Sequence, residues 1–213
     1  EHEIRQNIPI FYYNIWDDLP YPMWNEPFYE SVDLLMNISK QTYNIVKNVR
    51  REIPVKDWQC TYVPHGINEH NFFPIREGHT QYEEMNKWWL ENTGSSDLDF
   101  VVFYNNRNIR RKQPADVILS FKTFCDMLPK EQSDRCMLLM HTQPKDPNGT
   151  DLPEIVKQLA SNYRVAFSSK KLEPNKLNWM YNKASLTINI ASNEGFGLGT
   201  CESLMAGTPI LVN

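Results

Sequence analysis

From Asp99 to its end the chain alternates short apolar runs with helical stretches, and this limits the possible folds more than any other feature. The runs are FVVFY (100–104), MLLMH (137–141), YRVAF (163–167), LTINIA (186–191) and PILV (209–212). Helical stretches fall between them at 113–128, 151–161, 173–183 and 199–206. A run that is apolar at every position suits a strand buried on both faces, and helical crossovers imply that such strands are parallel. Right-handed crossovers then place helices on both sides of one sheet. The expected fold class is α/β, with a Rossmann-like doubly wound parallel sheet.

The first third of the chain is less regular. Residues 8–16 (IPIFYYNIW) are aromatic and β-branched and read as a strand. Asp17 to Pro27 holds three prolines and two aspartates and reads as loop. Asp33–Ser39 is a second short apolar run. Between Lys40 and Arg51, Tyr43, Ile45, Val46 and Val49 recur at helical spacing, with Lys47, Arg50 and Arg51 near the end where cations suit the helix dipole. A strand is expected at Gln59–Val63, closed by Pro64-His65-Gly66. From about Asn71 to Gly94 the chain turns polar, with one helix at 81–90. These shifts suggest an N-terminal unit at 1–72, a linker at 73–97 and a C-terminal unit at 98–213. Asn is abundant, at roughly twice average usage, which a base-composition bias would explain.

Composition excludes several classes. The 213 residues are 41% hydrophobic and 23% charged, as in ordinary globular domains. A net charge of −4 offers no basic footprint for nucleic acid or an anionic membrane. No apolar run approaches the ~18 residues of a membrane span, and none is flanked like a signal peptide. Cys60, Cys125, Cys136 and Cys201 form no C-x-x-C pair and sit mostly in apolar segments, so reduced thiols and a cytoplasmic location are expected. The sequons at Asn37 and Asn148 are then coincidental. Both ends read as cut: the chain opens on Glu1 and closes on an apolar run.

In an open parallel sheet, ligands bind at the C-terminal ends of the strands. Two strand ends are chemically loaded. LTINIA leads into Asn193-Glu-Gly-Phe-Gly-Leu-Gly-Thr-Cys-Glu202, which holds three of the eight glycines within five residues, at 195, 197 and 199. Such a loop can present consecutive N–H groups, and the helix after it adds the positive end of its dipole. Glu194 before the loop and Glu202 in the first turn of the helix bracket it; the helix dipole is one explanation for Glu202, but a carboxylate also suits sugar hydroxyls better than phosphate. A phosphate between two sugars, as in a nucleotide sugar, satisfies both features. FVVFY leads into Asn105-Asn-Arg-Asn-Ile-Arg-Arg-Lys112, with four cations in six residues. Arg and Lys can neutralise a departing diphosphate without a metal. Tight packing by the glycines and a solvated basic turn are the alternatives, each adequate for one loop alone.

Together, Glu194-x7-Glu202 within NEGFGLGTCESLMAGTPIL and Arg107 with Lys112 in NRNIRRKQPADVILSF resemble the retaining glycosyltransferases of family 4 (group 1), which have the GT-B fold of two Rossmann-like domains. YVPHGIN (62–68) resembles the segment that ends the family's N-terminal domain. The resemblance implies transfer of a sugar from a nucleoside diphosphate to a glycan, lipid-linked or protein hydroxyl, with retention of configuration: a hexosyltransferase activity. Arg107 and Lys112 would contact the diphosphate, Glu194 with the backbone of Gly195, Phe196 and Gly197 would hold the sugar, and Glu202 would bind the ribose. Leu198, Gly199 and Thr200 would lie near the phosphates, and Ser168–Leu172 would occupy the base position. UDP-, GDP- and ADP-sugars all fit, and no cofactor or metal is expected. Asp97-Leu-Asp99 precedes a buried strand instead of following one and is not read as a metal site.

The chain also departs from the pattern. The family's His-Asp pair on the acceptor side reads Trp16-Asp17-Asp18 here, so Asp17 orienting an acceptor hydroxyl and Trp16, Tyr21 and Trp24 stacking on sugars are expectations set against capping and core roles. Arg110 and Arg111 receive no role, and His141 is read as structural. Family members run well beyond this length, so a donor-binding domain preceded by the tail of an acceptor-side domain is expected. A nucleotide-sugar epimerase or hydrolase and a binding module without catalysis are the alternative readings.

Overall fold

The computed structural model describes Glu3 and residues 7–213. They form two compact units, one running to Gly66 and including Asn193–Gly197, the other comprising Ile67–Ser192 and Leu198–Asn213. The expected α/β fold with parallel sheets is the one observed.

The larger unit holds five parallel strands. In chain order its elements are α3 (Tyr82–Thr93), β4 (Phe100–Asn105), α4 (Pro114–Asp126), α5 (Lys130–Ser133), β5 (Cys136–His141), α6 (Leu152–Leu159), β6 (Arg164–Ser168), α7 (Pro174–Lys183), β7 (Leu186–Asn189), α8 (Leu198–Met205) and β8 (Ile210–Val212). The strand order β6-β5-β4-β7-β8 reverses direction after β4, which makes the sheet doubly wound. β4 and β5 pair from Phe100↔Cys136 to Asn105↔His141. Strand pleating sends Val102 and Tyr104 into a core with Val117, Ile118 and Phe121 of α4, and Val101 and Phe103 into another with Trp89 of α3 and Met180 of α7. Both faces of β4 are therefore dry, which explains why its sequence is apolar without alternation.

Local signals set the helix ends. Asp151 caps α6 by accepting from Glu154 N at 3.1 Å, and α3 stops at Gly94, whose φ of 64° suits glycine. Residues 73–97, expected as a linker, are built into this unit. Ile75, Met85 and Trp179 form a buried cluster, and Asn178 and Asn182 of α7 donate to Phe73 O at 3.1 and 3.0 Å.

The smaller unit contains β1 (Phe11–Asn14), α1 (Glu26–Ser31), β2 (Leu34–Asn37), α2 (Lys40–Val49) and β3 (Cys60–Tyr62). Its strands are parallel in the order β1-β2-β3. Leu35, Ile45, Val46, Val49 and Cys60 pack with Tyr29 into its core, and Ser39 caps α2 by accepting from Thr42 N at 3.1 Å. The nine-residue run expected as a strand contributes only the four residues of β1.

Candidate functional site

The ends of β4 and β7 carry two linked polar networks. Asn105, the last residue of β4, donates through Nδ2 to Tyr181 Oη at 2.8 Å, and Tyr181 donates to Glu202 Oε2 at 2.7 Å. Burial, then the neighbouring Glu202 charge, pushes the Tyr181 phenol well above its ordinary range, which keeps it protonated and donating. Burial also raises the Glu202 carboxyl, against the opposing pull of the Tyr181 bond. Glu202 Oε1 receives no donor among the described residues. Gly199 passes close by: a Cβ there would lie 3.4 Å from both Asn105 O and Tyr181 Oη.

A carboxylate in the first turn of a helix is explained by the helix dipole alone, and the sequence suggests that position for Glu202. α8 begins at Leu198, which places Glu202 in the second turn, where the dipole gives it little.

The second network runs through Asn189, the last residue of β7. Asn106 donates to Asn189 Oδ1 and Asn189 donates to Thr200 Oγ1, each at 3.3 Å. Ser192 N adds a bond of 2.8 Å to Arg111 O. The basic turn after β4 and the start of α8 are thus tied together at one edge of the sheet.

The cations of that turn are not equivalent. Arg107 is 62% exposed and pairs with Asp146, Nε to Oδ2 at 3.0 Å, which holds the Asp146 carboxyl below the usual carboxylate range. Lys112 closes a 3-10 turn (Arg110–Lys112), is only 7% exposed, and its carbonyl accepts from Tyr104 Oη at 3.1 Å. Arg110 and Arg111 share that turn. Between the two expected contact residues, Asn108 is fully buried; its side chain accepts from Thr150 N at 3.1 Å and donates to Thr150 O at 2.7 Å and Gln143 O at 3.1 Å. This amide fixes the 143–150 loop, which carries Asp146, against the basic turn. Gly149 makes the fit possible: a Cβ there would fall 2.1 Å from Asn108 O.

At the ends of β5 and β6, His141 Nδ1 lies 3.0 Å from Ser168 Oγ, and burial lowers the imidazole pKa so that the ring stays neutral. Thr142 Oγ1 is buried beside them with no hydrogen-bond partner among the described residues. A cavity of about 350 Å³ runs from Trp88, Trp89 and Asn92 of α3 across Leu139 and Ala166 to Ser168, Ser169, Lys170 and Leu172.

The smaller unit holds the remaining expected residues. Asn193 donates to Asp18 Oδ1 at 2.7 Å. A Cβ on Gly195 would approach Ile15 O to 3.2 Å, and Gly197 has a φ of 83°. Phe196 meets His65 edge-on at 5.6 Å. Trp16 donates its indole N–H to Asp18 O at 2.8 Å and packs edge-on against Trp24 at 5.7 Å, while its carbonyl accepts from Thr42. That anchoring is structural, whereas Trp24 and Tyr21 are exposed. Asp17 O accepts from Gln41 at 3.1 Å.

Asp97 pairs with Arg164 at 2.9 Å and Asp99 with Arg135 at 2.9 Å, so both aspartates serve ion pairs. Among the described residues no group of three or more His, Cys, Asp and Glu is arranged to hold a metal ion. No helix of the described residues is long and apolar enough to cross a membrane.

Sequence reading missed Tyr181, Asn105, Asn108 and Asp146. Asn105 and Asn108 lie in the loaded segment and could have been weighed by their position. Tyr181 and Asp146 reach the site from a helix and a loop with no local signal.

No protein-family model matches the chain, and no curated protein sequence does. Its fold is similar to that of an α,α-trehalose-phosphate synthase (UDP-forming) from Burkholderia vietnamiensis, with a TM-score of 0.77 at 13% identity over 99% of this chain and 52% of that one. It is similar to Anabaena HepE, solved in complex with UDP and glucose, with a TM-score of 0.72 at 13% identity over 99% of this chain and 54% of that one. The N-terminal domain of Candida albicans trehalose-6-phosphate phosphatase gives 0.73 at 12% identity over 98% and 52%. The chain spans about half the length of these structures. The GT-B type of α/β fold is common to them and to this chain.

Proposed function

We propose that this chain carries the donor-binding part of a glycosyltransferase that takes a sugar from a nucleoside diphosphate and transfers it, with retention, to a hydroxyl acceptor. The observation that carries this reading is the Asn105–Tyr181–Glu202 network at the C-terminal edge of the sheet. It holds a carboxylate in a partly buried position with one oxygen engaged and the other available to a ribose hydroxyl. The N-terminus of α8 beside it suits phosphate. UDP is the favoured nucleotide, because solved proteins of this fold were obtained with UDP or are described as UDP-forming.

In this reading Glu202 binds the ribose, and Leu198, Gly199 and Thr200 lie near the diphosphate. Arg107 and Lys112 neutralise the charge that develops as it leaves. Arg107 would exchange Asp146 for phosphate oxygens, while Lys112 is already held in a buried turn. Glu194, with the N–H groups of Gly195, Phe196 and Gly197, holds the sugar. The acceptor oxygen attacks the anomeric carbon from the face that the diphosphate departs. The cavity at Ser168–Leu172 would receive the base. Asp17 and the exposed Trp24 remain candidates for the acceptor side, and a cytoplasmic, metal-independent enzyme is the corresponding expectation.

The test is thermal stabilisation by UDP, GDP and ADP in EDTA. A nucleotide at about 100 times its dissociation constant adds about 2.7 kcal/mol. UDP should stabilise, and Glu202→Ala should abolish the effect. No response to any nucleotide would overturn the reading. In the full-length protein, Lys112→Ala that still folds should lower turnover by more than about tenfold, since one such contact contributes about 2–4 kcal/mol to the transition state. Consumption of the donor without acceptor would point instead to an epimerase or hydrolase.

A further inference from the structure

A second cavity lies at the opposite edge of the same sheet, where β4 begins. It has a volume of about 380 Å³, within the range of small-molecule sites, and Trp89, Leu90, Leu98 and Val101 supply its apolar walls. Lys183, the last residue of α7, lines it. We propose that Lys183 is a nucleophilic amine that forms an imine with small aldehydes carrying an apolar body.

Lys183 Nζ donates to Asn86 Oδ1 at 3.1 Å and stands 5.8 Å from the Trp89 ring centroid. Among the described residues no carboxylate forms an ion pair with it. Lys87, Lys130 and Lys157, by contrast, are exposed and paired with Glu91, Asp134 and Glu154. α3 brings Asn86, Trp89 and Leu90 to the cavity, the segment before β4 brings Ser95, Ser96 and Asp99, and Ser185 closes it. Of these groups Asp99 alone is charged besides Lys183, and Arg135 engages it at 2.9 Å. The Asn86 amide oxygen and the Trp89 indole both favour the ammonium, but no carboxylate joins them, and burial lowers the Lys183 pKa. Position at a helix C-terminus acts the other way, favouring the cation, but burial prevails.

The lowered pKa enlarges the fraction of Nζ that carries a free lone pair at any pH below it. The lone pair attacks the aldehyde carbon to form a carbinolamine, which loses water so that C=N replaces C=O. The apolar walls hold the body of the aldehyde.

The test is labelling of the full chain with benzaldehyde and cyanoborohydride at neutral pH, read by peptide mapping. Hydride reduction fixes the imine as a secondary amine. Lys183 should label several-fold faster than Lys87, Lys130 and Lys157, and the preference should shrink toward alkaline pH as every lysine deprotonates. It should also be smaller with formaldehyde, which has no body for the cavity to hold. Leu98→Trp, which fills the cavity, should lose the benzaldehyde preference. Labelling of Lys183 no faster than that of the three exposed lysines overturns the proposal, and this comparison needs no variant. Equal preference with both aldehydes overturns the role of the cavity.

Discussion

β1 of the smaller unit and β4 of the larger one read alike as sequence, FYYN against FVVFYN, yet they occupy different surroundings. Four consecutive residues of β4 are buried, whereas Phe11 is 60% and Tyr12 42% exposed. The difference teaches that an apolar run specifies a strand without specifying what covers it. Helices pack on both faces of β4. Only one face of the three-stranded sheet has a core of its own among the described residues. In both units, however, strands end on asparagine: Asn14 and Asn37 of the smaller unit, Asn105 and Asn189 of the larger. In the smaller unit the pair is buried and its members bond each other, with Asn14 Nδ2 donating to Asn37 Oδ1 at 3.2 Å. In the larger unit the two amides bond instead to side chains on helices, Tyr181 of α7 and Thr200 of α8. The abundance of Asn therefore has a structural component that a base-composition bias does not supply.

The largest expected effect tests the contrast in cover. Phe103→Ala removes a fully buried ring and should cost about 3–5 kcal/mol, while Phe11→Ala should change stability by less than about 0.5 kcal/mol. Urea midpoints of the two variants check this, and equal losses would break the comparison. Gly149→Ala tests how firmly the strand-end loops of the larger unit are pinned. The added methyl must displace the Asn108 backbone, so a loss of about 1–3 kcal/mol is expected, with reduced nucleotide binding as the basic turn shifts. An unchanged melting temperature would show that the 143–150 loop yields freely.

The smallest effect concerns Glu202. Its carboxyl is raised in the folded state, so the native protein holds more protons than the unfolded chain between the two pKa values. Stability then falls as pH rises from the unfolded carboxyl range through the folded value. Glu202→Gln, which can still accept from Tyr181, should remove that slope and stabilise the protein at neutral pH while weakening UDP binding. Unfolding curves for both proteins at about pH 4 and about pH 8 measure it. A variant less stable than the wild type at the higher pH would mean that the carboxylate is held for structure, not for a ligand.

Much of the larger unit was legible because its signals are local. The runs at 100–104 and 137–141 became β4 and β5 nearly as bounded, since a strand dry on both faces leaves no ambiguity of period. The glycine loop stood out because close approach at Gly195 and a positive φ at Gly197 both need a residue without a side chain. The segment 73–97 was harder to read. Its burial depends on partners such as Trp179 that lie about a hundred residues away in the chain. The basic turn was seen as four similar charges, and no spacing rule could separate exposed Arg107 from buried Lys112.

The sequence by itself determined the class of fold and singled out the ends of β4 and β7 as candidate ligand positions, because strand burial, helix capping and glycine geometry are written in neighbouring residues. Tertiary structure alone decided how those ends are built. Tyr181 joins Asn105 to Glu202, Asp146 occupies Arg107, and Asn108 locks one loop to the other. Each of these contacts spans tens of residues, and a hydrogen bond or ion pair at that separation forms only when packing has already brought its partners together.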